Sequence, residues 1–501
     1  MDASKLAFPL IALSFLVAYL LLRFLHKQWF SPIRFQRKMR AQGIRGPPYR
    51  FLYGNAKEIK GMSMEATSKP MEISHNIYPR ILPHGYTWSK IYGKNYLEWN
   101  GTQPQLIVTD PEMVKEIMND RGGAYPKPPV IIFTREIFGD GLVTTIEGKK
   151  WSKLRKVATH AFNGESLKNM LPEMVAGTET MLRKWREYEG LEVDVFEEFR
   201  LLTSDVISRT AFGSSYAEGH TIFEMLAKLI TIIRIVRDKN ENEILKLQKG
   251  IRSSMIRMVH DREDRVKKGD AEGYGDDFLG VLVKAYKDLD HSRKMSLDEV
   301  IDECRTFYVA GQETTNATLS WVMFLLAIHQ NWQEEARREV VRVFGNESPN
   351  QDGIAKLKIM GMILNETLRL YPAIAGQVRN TAKEVKLGSL VLPANTNLFV
   401  PMLAIHHDPE IWGKDVHEFK PERFAEGIAK ATNNNVTAFI PFGLGPRICA
   451  GINFAMHEAK IALSMILQRY KFTLSDSYVH SPVTVLTIRP QYGVKVVLQS
   501  V

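Results

Sequence analysis

A loop at residues 442–451 carries the side chains best suited to chemistry in this chain. It contains three glycines, Pro446, Arg447 and Cys449, so it turns tightly and its backbone can approach a flat ligand closely. A cysteine at the start of a helix faces free N–H groups and the positive end of the helix dipole, which favour its thiolate. Such a thiolate suits haem iron that must activate dioxygen. The helical spacing that follows the loop is carried by Phe454, Ala455, Ala459, Ala462, Met465 and Ile466.

The alternatives for Cys449 are a zinc ligand and a small buried apolar residue. Cys304 is the only other cysteine, so thiols alone cannot build a four-ligand zinc site. Burial is the usual role of an isolated cysteine, and we assign it to Cys304. The glycines, the arginine two residues earlier and the helix that follows favour a ligand role for Cys449.

The spacing Phe-x-x-Gly-x-Arg-x-Cys-x-Gly resembles the haem-binding loop of the cytochrome P450 monooxygenases at each defining position. The resemblance covers residues 50–501 and implies a haem b cofactor whose iron is bound by Cys449. It also implies that Phe442 and Arg447 contact the haem. The implied fold is mainly α with a small β-rich subdomain, the cytochrome P450 fold, preceded by an N-terminal transmembrane helix.

Trp151 and Arg155 lie four residues apart, on one face of a predicted helix. An indole N–H and a guanidinium suit paired carboxylates, and haem carries two propionates. A surface pair is the alternative that these two residues leave open. The resemblance implies that this is the propionate-binding helix, and that Arg379 and Arg447 add further propionate contacts.

A group of lysines surrounds Trp151. It is either a solvated helix face or a docking surface for an acidic electron-donor protein, because complementary charge steers such encounters. The resemblance implies a partner of that kind, a membrane-bound flavoprotein reductase that passes electrons from NADPH. The residues are Lys149, Lys150, Lys153 and Lys156.

A second polar group lies in an otherwise apolar helix, where Glu313 and Thr314 follow Ala310 and Gly311. The small pair lets another group approach the backbone, and a threonine can open the hydrogen bond to the residue four earlier. A kinked helix with a satisfied polar pair is the alternative. The resemblance implies that this is the oxygen-activation helix, with Thr314 and Glu313 as catalytic residues that deliver protons.

Glu366 and Arg369 stand three residues apart on a predicted helix. As an exposed pair they would contribute only a few tenths of a kcal/mol. Together with Arg423 in Pro421-Glu422-Arg423-Phe424, they resemble the family's buried Glu-Arg-Arg network. We therefore predict a structural role, since removing one partner would leave a buried charge unpaired.

The N-terminal segment explains most of the formal net charge of +10, because residues 1–50 alone carry +8. The remainder is close to neutral, so binding to nucleic acid is not indicated. Residues 6–22 are uncharged and long enough to cross most of a bilayer. A cleaved signal peptide is the alternative, but the basic cluster follows the apolar run, which favours a cytosolic body. We predict a membrane anchor at 1–28 in the endoplasmic reticulum, a basic, proline-containing linker at 29–50 and a catalytic domain at 51–501.

Short β-like runs occur at residues 96–99, 105–108, 385–388 and 398–400, and helical periodicity dominates from about 150 to 370. The segment between Ile222 and Ile251 is shorter than the paired helices that cover the substrate pocket in proteins of this family. The shortening is compatible with a more open pocket, a different substrate or damaged activity.

Four motifs in the family's order predict a haem-thiolate monooxygenase that hydroxylates or oxidises a hydrophobic small molecule. Their wording resembles the plant clan that includes secologanin synthase and hormone hydroxylases, which implies a terpenoid or a terpenoid-derived hormone as substrate. Two alternatives stay open. One is a haem-thiolate isomerase or dehydratase that needs no oxygen, against which Thr314 and Glu313 argue. The other is a membrane-anchored haem-binding protein whose shortened segment has impaired catalysis.

Overall fold

The N-terminal helix runs without a break from the apolar segment into the body of the protein. The structure, a computed structural model, describes residues 3–130, 132–213, 216–235, 240–290 and 294–501, with backbone only at 3–10, 132–133, 216–218 and 234–235. Helix α1 (Ala3–Leu25) passes through a π-helical turn, His26–Phe30, into α2 (Ser31–Ala41). Among the described side chains, the stretch Ile11–Ala41 is long and apolar enough to cross a membrane, and its apolar window is fully exposed.

The segment expected to be a linker, residues 29–50, packs against the small sheet. Met39 is fully buried, and Gln36 Nε2 donates to the Pro47 carbonyl at 3.1 Å. The Arg45 carbonyl accepts from the Leu97 N–H at 2.9 Å. Gly46 lies so close to the Leu97 carbonyl oxygen that a Cβ would stand 1.8 Å from it, which explains the glycine. The segment therefore joins the anchor firmly to the domain.

The body is mainly helical, as expected. Its helices are α3 (Ala56–Thr67), α4 (Tyr78–Ile81), α5 (Pro83–Tyr92), α6 (Pro111–Asn119), α7 (Ile132–Phe138), α8 (Lys149–Ala161), α9 (Gly164–Trp185), α10 (Val195–Phe212), α11 (Tyr216–Ile235), α12 (Glu241–Lys267), α13 (Phe278–Lys287), α14 (Leu297–Ile328), α15 (Gln330–Phe344), α16 (Gln351–Lys356), α17 (Lys358–Leu370), α18 (Met402–His406), α19 (Pro409–Trp412), α20 (Ile428–Ala431) and α21 (Ile452–Leu467).

The strands form four small sheets. The strands are β1 (Tyr96–Asn100), β2 (Gln103–Ile107), β3 (Glu192–Asp194), β4 (Gln377–Asn380), β5 (Val385–Leu387), β6 (Leu390–Leu392), β7 (Asn397–Val400), β8 (Tyr470–Leu474), β9 (Pro482–Thr484), β10 (Ile488–Pro490) and β11 (Lys495–Ser500). The largest sheet has the order β1-β2-β7-β4, in which only the β2–β7 pair is parallel. A second sheet has the order β3-β11-β8, and β5–β6 and β9–β10 form antiparallel pairs.

Helix α14 is the central helix of the core. Ser296 caps it, accepting from the Glu299 N–H at 3.1 Å, while the Glu299 carboxylate accepts from the Ser296 N–H at 2.9 Å. Such a capping box satisfies two N–H groups that the helix itself leaves free. The C-terminal half of α14 is buried on nearly every side, because α10, α17, α21 and β10 all pack against this helix. Helix α14 therefore holds Glu313 and Thr314 in a rigid core.

The segment between Ile222 and Ile251 forms parts of two long helices, α11 and α12, that pack against each other. The prediction that Ile233 passes quickly into residues 237–240 falls largely on residues 236–239, which lie outside the described residues. The described parts already provide paired helices. The shortening relative to the family stays a prediction.

Candidate haem site

The cysteine loop is fixed by its own backbone and by helix α6. The Cys449 N–H donates to the Phe442 carbonyl at 2.9 Å, and a 3-10 turn, Gly445–Arg447, lies between them. Gly445 has φ of 72°, and a Cβ there would stand 2.1 Å from the Met118 carbonyl oxygen. Only glycine satisfies both conditions. Cys449 is thus placed three residues before the predicted helix, which is α21.

Cys449 is surrounded by protein and yet keeps accessible surface. Burial raises the pKa of the Cys449 thiol, while a hydrogen bond with the Gly451 backbone and the charge of Arg155 oppose that rise. The side chain is nevertheless exposed, so it is surrounded by protein without being packed against it. Cys304, in contrast, is packed in the core at 1% exposure, and burial raises its thiol pKa strongly. The predicted packing role of Cys304 is confirmed.

Arg155 contacts the backbone of the cysteine loop, and its charge lowers the pKa of the Cys449 thiol. Its Nη1 donates to the Ile448 carbonyl at 2.7 Å, one residue before Cys449. Trp151, on the same face of α8, lies under another arginine, with the Arg447 guanidinium carbon 4.8 Å from the indole ring centre. The structure therefore brings Trp151, Arg155 and Arg447 to the cysteine loop, and their contacts with haem stay predictions.

Four charged residues form a group that we call the cationic cradle: Lys127, Glu147, Arg379 and Arg447. Glu147 binds Arg447 through Nε and accepts from the Lys127 backbone N–H at 2.7 Å. Arg379 is 5% exposed and donates only to its own strand, to Val378 at 3.1 Å and Gln377 at 3.3 Å. Burial and the charge of Arg447 lower the pKa of Lys127 to about 8 and that of Arg379 to about 10.

Sequence reasoning identified Arg379 and Arg447 in this cradle and missed Lys127 and Glu147. Lys127 stands between Pro126 and Pro128, so its backbone is restricted on both sides. This restricted position between two prolines is the feature from which the sequence could have indicated Lys127 as a site residue. Glu147 lies four residues before Trp151, and its partner Arg447 is 300 residues away.

The cradle fits a group that carries two negative charges. Three cations against one carboxylate leave a formal charge of +2 in a partly buried site, which is costly unless anions are bound there. The two propionates of haem would match that charge, and Arg155 lies near enough to Cys449 for its charge to lower the pKa of the thiol. Among the described residues, no cluster of three or more His, Cys, Asp or Glu could hold a bare metal ion instead.

Glu313 and Thr314 point to different partners on helix α14. Thr314 Oγ1 donates to the Ala310 carbonyl at 2.8 Å, four residues earlier, and the expected opening of the helix at this point stays a prediction. Glu313 is buried; it accepts from Thr487 Oγ1 at 3.1 Å and lies 3.5 Å from Arg489 Nη1. Gly311 is approached by Ile207 of α10, since a Cβ there would stand 2.8 Å from the Ile207 side chain.

Comparison with known proteins agrees with this geometry. The family model for cytochrome P450 matches residues 86–496. A cytochrome P450 from Panax ginseng, CYP749A22, is 52% identical over 98% of this chain and 96% of its own length. The chain belongs to the cytochrome P450 family.

Two further relatives of this cytochrome P450 carry names that state an activity. An 11-oxo-beta-amyrin 30-oxidase from Glycyrrhiza uralensis is 44% identical over 94% of this chain and 93% of its own length. Secologanin synthase 1 from Catharanthus roseus is 42% identical over 95% of this chain and 94% of its own length. The sequence-based assignment to the family and to its plant members is confirmed. The protein is a monooxygenase of this haem-dependent family.

The Glu-Arg-Arg network of this cytochrome P450 is present and buried. Glu366 and Arg369 are both fully buried and joined by two hydrogen bonds of 2.7 Å. Arg423 Nε lies 3.4 Å from Glu366 and donates from its other nitrogens to the Trp412 and Asp415 carbonyls. Arg369 also donates to the carbonyls of His406 and Val416. The network therefore ties α17 to the segment that leads into the cysteine loop.

Proposed function

We propose that this cytochrome P450 oxidises a hydrophobic terpenoid or a terpenoid-derived plant hormone, with Cys449 as the axial ligand of haem b. The observation that supports the haem-thiolate assignment is an accessible Cys449, surrounded by protein, on the same loop as Arg447 of the cationic cradle. The substrate class is supported by the amyrin oxidase and secologanin synthase to which the chain is similar.

The haem would be held by residues from four separate parts of the chain. Cys449 would bind the iron, and Phe442 and Arg447 belong to the same loop. Arg447, Arg379 and Lys127 would bind the propionates, with Trp151 supporting Arg447 and Arg155 supporting the thiolate. When bound, haem supplies the iron centre at which dioxygen is reduced and one oxygen atom is inserted into a C–H bond.

Thr314 and Glu313 would manage the protons that oxygen reduction consumes. The Thr314 hydroxyl is held by the Ala310 carbonyl, which leaves its oxygen lone pairs free to accept from a water molecule. The Glu313 carboxylate is held by Thr487 and Arg489, and Arg489 is 30% exposed. Arg489 would not carry the proton, because its guanidinium stays protonated, but it would hold the buried acid in place for proton transfer through water.

The substrate pocket would be lined by residues 128–143, 307–314, 373–377 and 483–487. These segments are largely apolar, which suits a bulky hydrophobic substrate. Residue 131 and the side chains of 132–133 lie outside the described part of the first segment. The paired helices α11 and α12 would cover the pocket, and this argues against a loss of catalysis through the shortened segment.

The anchor and the donor partner complete the proposal. The fully exposed apolar helix would place the protein in the endoplasmic reticulum membrane, with the catalytic domain in the cytosol. An NADPH-dependent flavoprotein reductase would supply electrons. On α8, Lys150 and Lys153 are paired with Asp140 and Glu299, each at 2.8 Å, so exposed Lys149 and Lys156 would be the docking cations.

The test is the carbon monoxide difference spectrum of the reduced, membrane-expressed chain. We expect the red-shifted Soret band of a thiolate-bound haem in the wild type and in Cys304→Ala, and its absence in Cys449→Ala. Cys304→Ala is the matched control because it removes the other thiol. A histidine-type band in the wild type, or a thiolate band that survives in Cys449→Ala, would contradict the assignment.

The substrate class is tested by spectral titration of the ferric protein. We expect 11-oxo-β-amyrin or a gibberellin to shift the Soret band by displacing water from the pocket. Lauric acid, a hydrophobic molecule of a different class, serves as the comparison. A shift with lauric acid and none with either terpenoid would contradict the terpenoid proposal.

A further inference from the structure

Glu147 is the one carboxylate of the cationic cradle, and the proposed function gives it no role in binding haem. Its Oε1 binds Arg447, and its Oε2 accepts from the Lys127 backbone N–H at 2.7 Å. Arg447 also donates to the Thr145 carbonyl at 2.6 Å, two residues before Glu147. The carboxylate is therefore held by the Arg447 guanidinium and by the backbone of Lys127, whose ammonium donates to the Val143 carbonyl.

Glu147 also acts on all three cations. The charges of Lys127 and Arg379 are disfavoured by that of Arg447, and each of the two is favoured by Glu147. Glu147 likewise favours the charge of Arg447 through direct contact. Three cations and one carboxylate give +2, which equals the charge of two propionates with opposite sign. Without Glu147 the filled cradle would carry an excess of +1.

We propose that Glu147 is a charge-setting residue, which holds the cradle at +2 so that the propionates neutralise it and the iron feels no excess positive charge from it. This inference rests on the proposed function, because it needs haem in the site. Reduction adds one electron to the haem, so an excess of positive charge nearby favours the reduced state. Glu147 therefore keeps the reduction potential lower than a cradle of +3 would.

Two substitutions and their combination separate charge from packing. Glu147→Gln leaves the cradle at +3, Lys127→Met leaves it at +1, and the double variant returns it to +2. We expect Glu147→Gln to shift the ferric–ferrous equilibrium toward the reduced form about threefold to tenfold, which corresponds to about 30 to 60 mV for one electron. Lys127→Met should shift it in the opposite direction, and the double variant should lie near the wild type.

The measurement is a spectroelectrochemical titration of the full-length protein in lipid nanodiscs. Glu347→Gln is the matched control, because it removes an exposed carboxylate and changes the net charge equally. An unchanged or lowered potential in Glu147→Gln, or a double variant that keeps the raised potential, would overturn the proposal. The carbon monoxide difference spectrum separates the two proposals. A wild type without the thiolate band would contradict the haem-thiolate assignment itself. Variants that keep the band but do not show the expected potentials would contradict only the role of Glu147.

Discussion

At the scale of single residues, buried charge in this cytochrome P450 is handled in two ways. Glu366, Arg369 and Arg423 form a network whose charges satisfy one another and several carbonyls. The cationic cradle, in contrast, keeps an excess of positive charge. The first arrangement serves the fold by itself, whereas the second becomes favourable only with an anionic group in place.

The Glu366 network gives a prediction for stability. Glu366→Ala leaves Arg369 fully buried without its carboxylate, and we expect a loss of about 3–5 kcal/mol in the free energy of unfolding. Urea denaturation followed by circular dichroism measures it. Glu366→Gln, which keeps the shape and one acceptor, should lose less and remain measurable if the alanine variant does not fold.

The control for this prediction is Glu384→Ala. Glu384 pairs with Lys38 at 3.0 Å, and both side chains are well exposed, so that loss should stay below about 1 kcal/mol. Equal losses at the two positions would show that burial of the network adds nothing to the pair.

At the scale of elements, helix α5 and strands β1 and β2 enclose a buried acid. Glu98 on β1 is 3% exposed and accepts from Gln105 Nε2 of β2 at 2.8 Å. Burial raises its pKa to about 7, although hydrogen bonds with Gln105 and Tyr96 oppose the rise. His84 of α5 lies 3.9 Å away, and burial lowers its pKa to about 4, so it offers no charge near neutral pH.

This acid predicts a pH dependence of stability. Between about pH 5 and pH 7 the unfolded chain has Glu98 ionised while the folded protein keeps it protonated. The folded state then binds the extra proton, so stability falls as the pH rises. A pKa raised from 4.5 to about 7 corresponds to a loss of about 3 kcal/mol by pH 8.

The measurement compares wild type with Glu98→Gln in urea at pH 5 and pH 8. Glutamine keeps the acceptor for Gln105 and cannot ionise, so the variant should gain stability relative to wild type at pH 8 but not at pH 5. An equal difference at both values would show that Glu98 does not titrate in this range.

Aromatic side chains join the end of the anchor helix to the turn at residues 51–53. Phe51 packs on Trp29 and Phe24, with ring centres 5.8 and 6.3 Å apart. Phe30 and Tyr53 beside them are 59% and 51% exposed. Exposed aromatic rings next to a membrane-spanning helix are typical of the bilayer interface.

We therefore expect Trp29 to lie at the level of the lipid headgroups. The fluorescence of Trp29 is obtained in nanodiscs as the difference between wild type and Trp29→Phe. Lipids brominated near the carboxyl end of the acyl chain should quench it more than lipids brominated near the methyl end. Trp332→Phe is the control, because Trp332 lies on α15 in the catalytic domain. Equal quenching of the two tryptophans would contradict an interfacial position.

At the scale of the whole molecule, the sequence predicted local features better than contacts between distant parts of the chain. The turn around Cys449 and helix α21 depend on neighbouring residues, and the sequence predicted both. Thr487, the hydrogen-bond partner of Glu313, lies 174 residues away in the bend before β10, which periodicity does not place beside α14. Lys127 and Glu147 come from irregular segments whose path depends on packing against the cysteine loop, so they were missed.

The surface of α8 predicts how the molecule meets its electron donor. Lys149 and Lys156 are exposed, whereas Lys150 and Lys153 are neutralised by carboxylates of the same chain. Replacing both exposed lysines by glutamate should slow NADPH-driven reduction by the reductase at least about tenfold at low salt, since steering by complementary charge has that magnitude. The difference should shrink above about 0.1 M salt, where the screening length falls to about 10 Å.

Stopped-flow reduction under carbon monoxide measures this rate. Lys268→Glu/Lys471→Glu is the control, because it makes the same charge change at exposed positions on other elements. Equal slowing by both double variants would reflect net charge rather than a docking site. A slowing that persists unchanged at high salt would show that the substitutions alter the haem site itself, because α8 also carries Trp151 and Arg155.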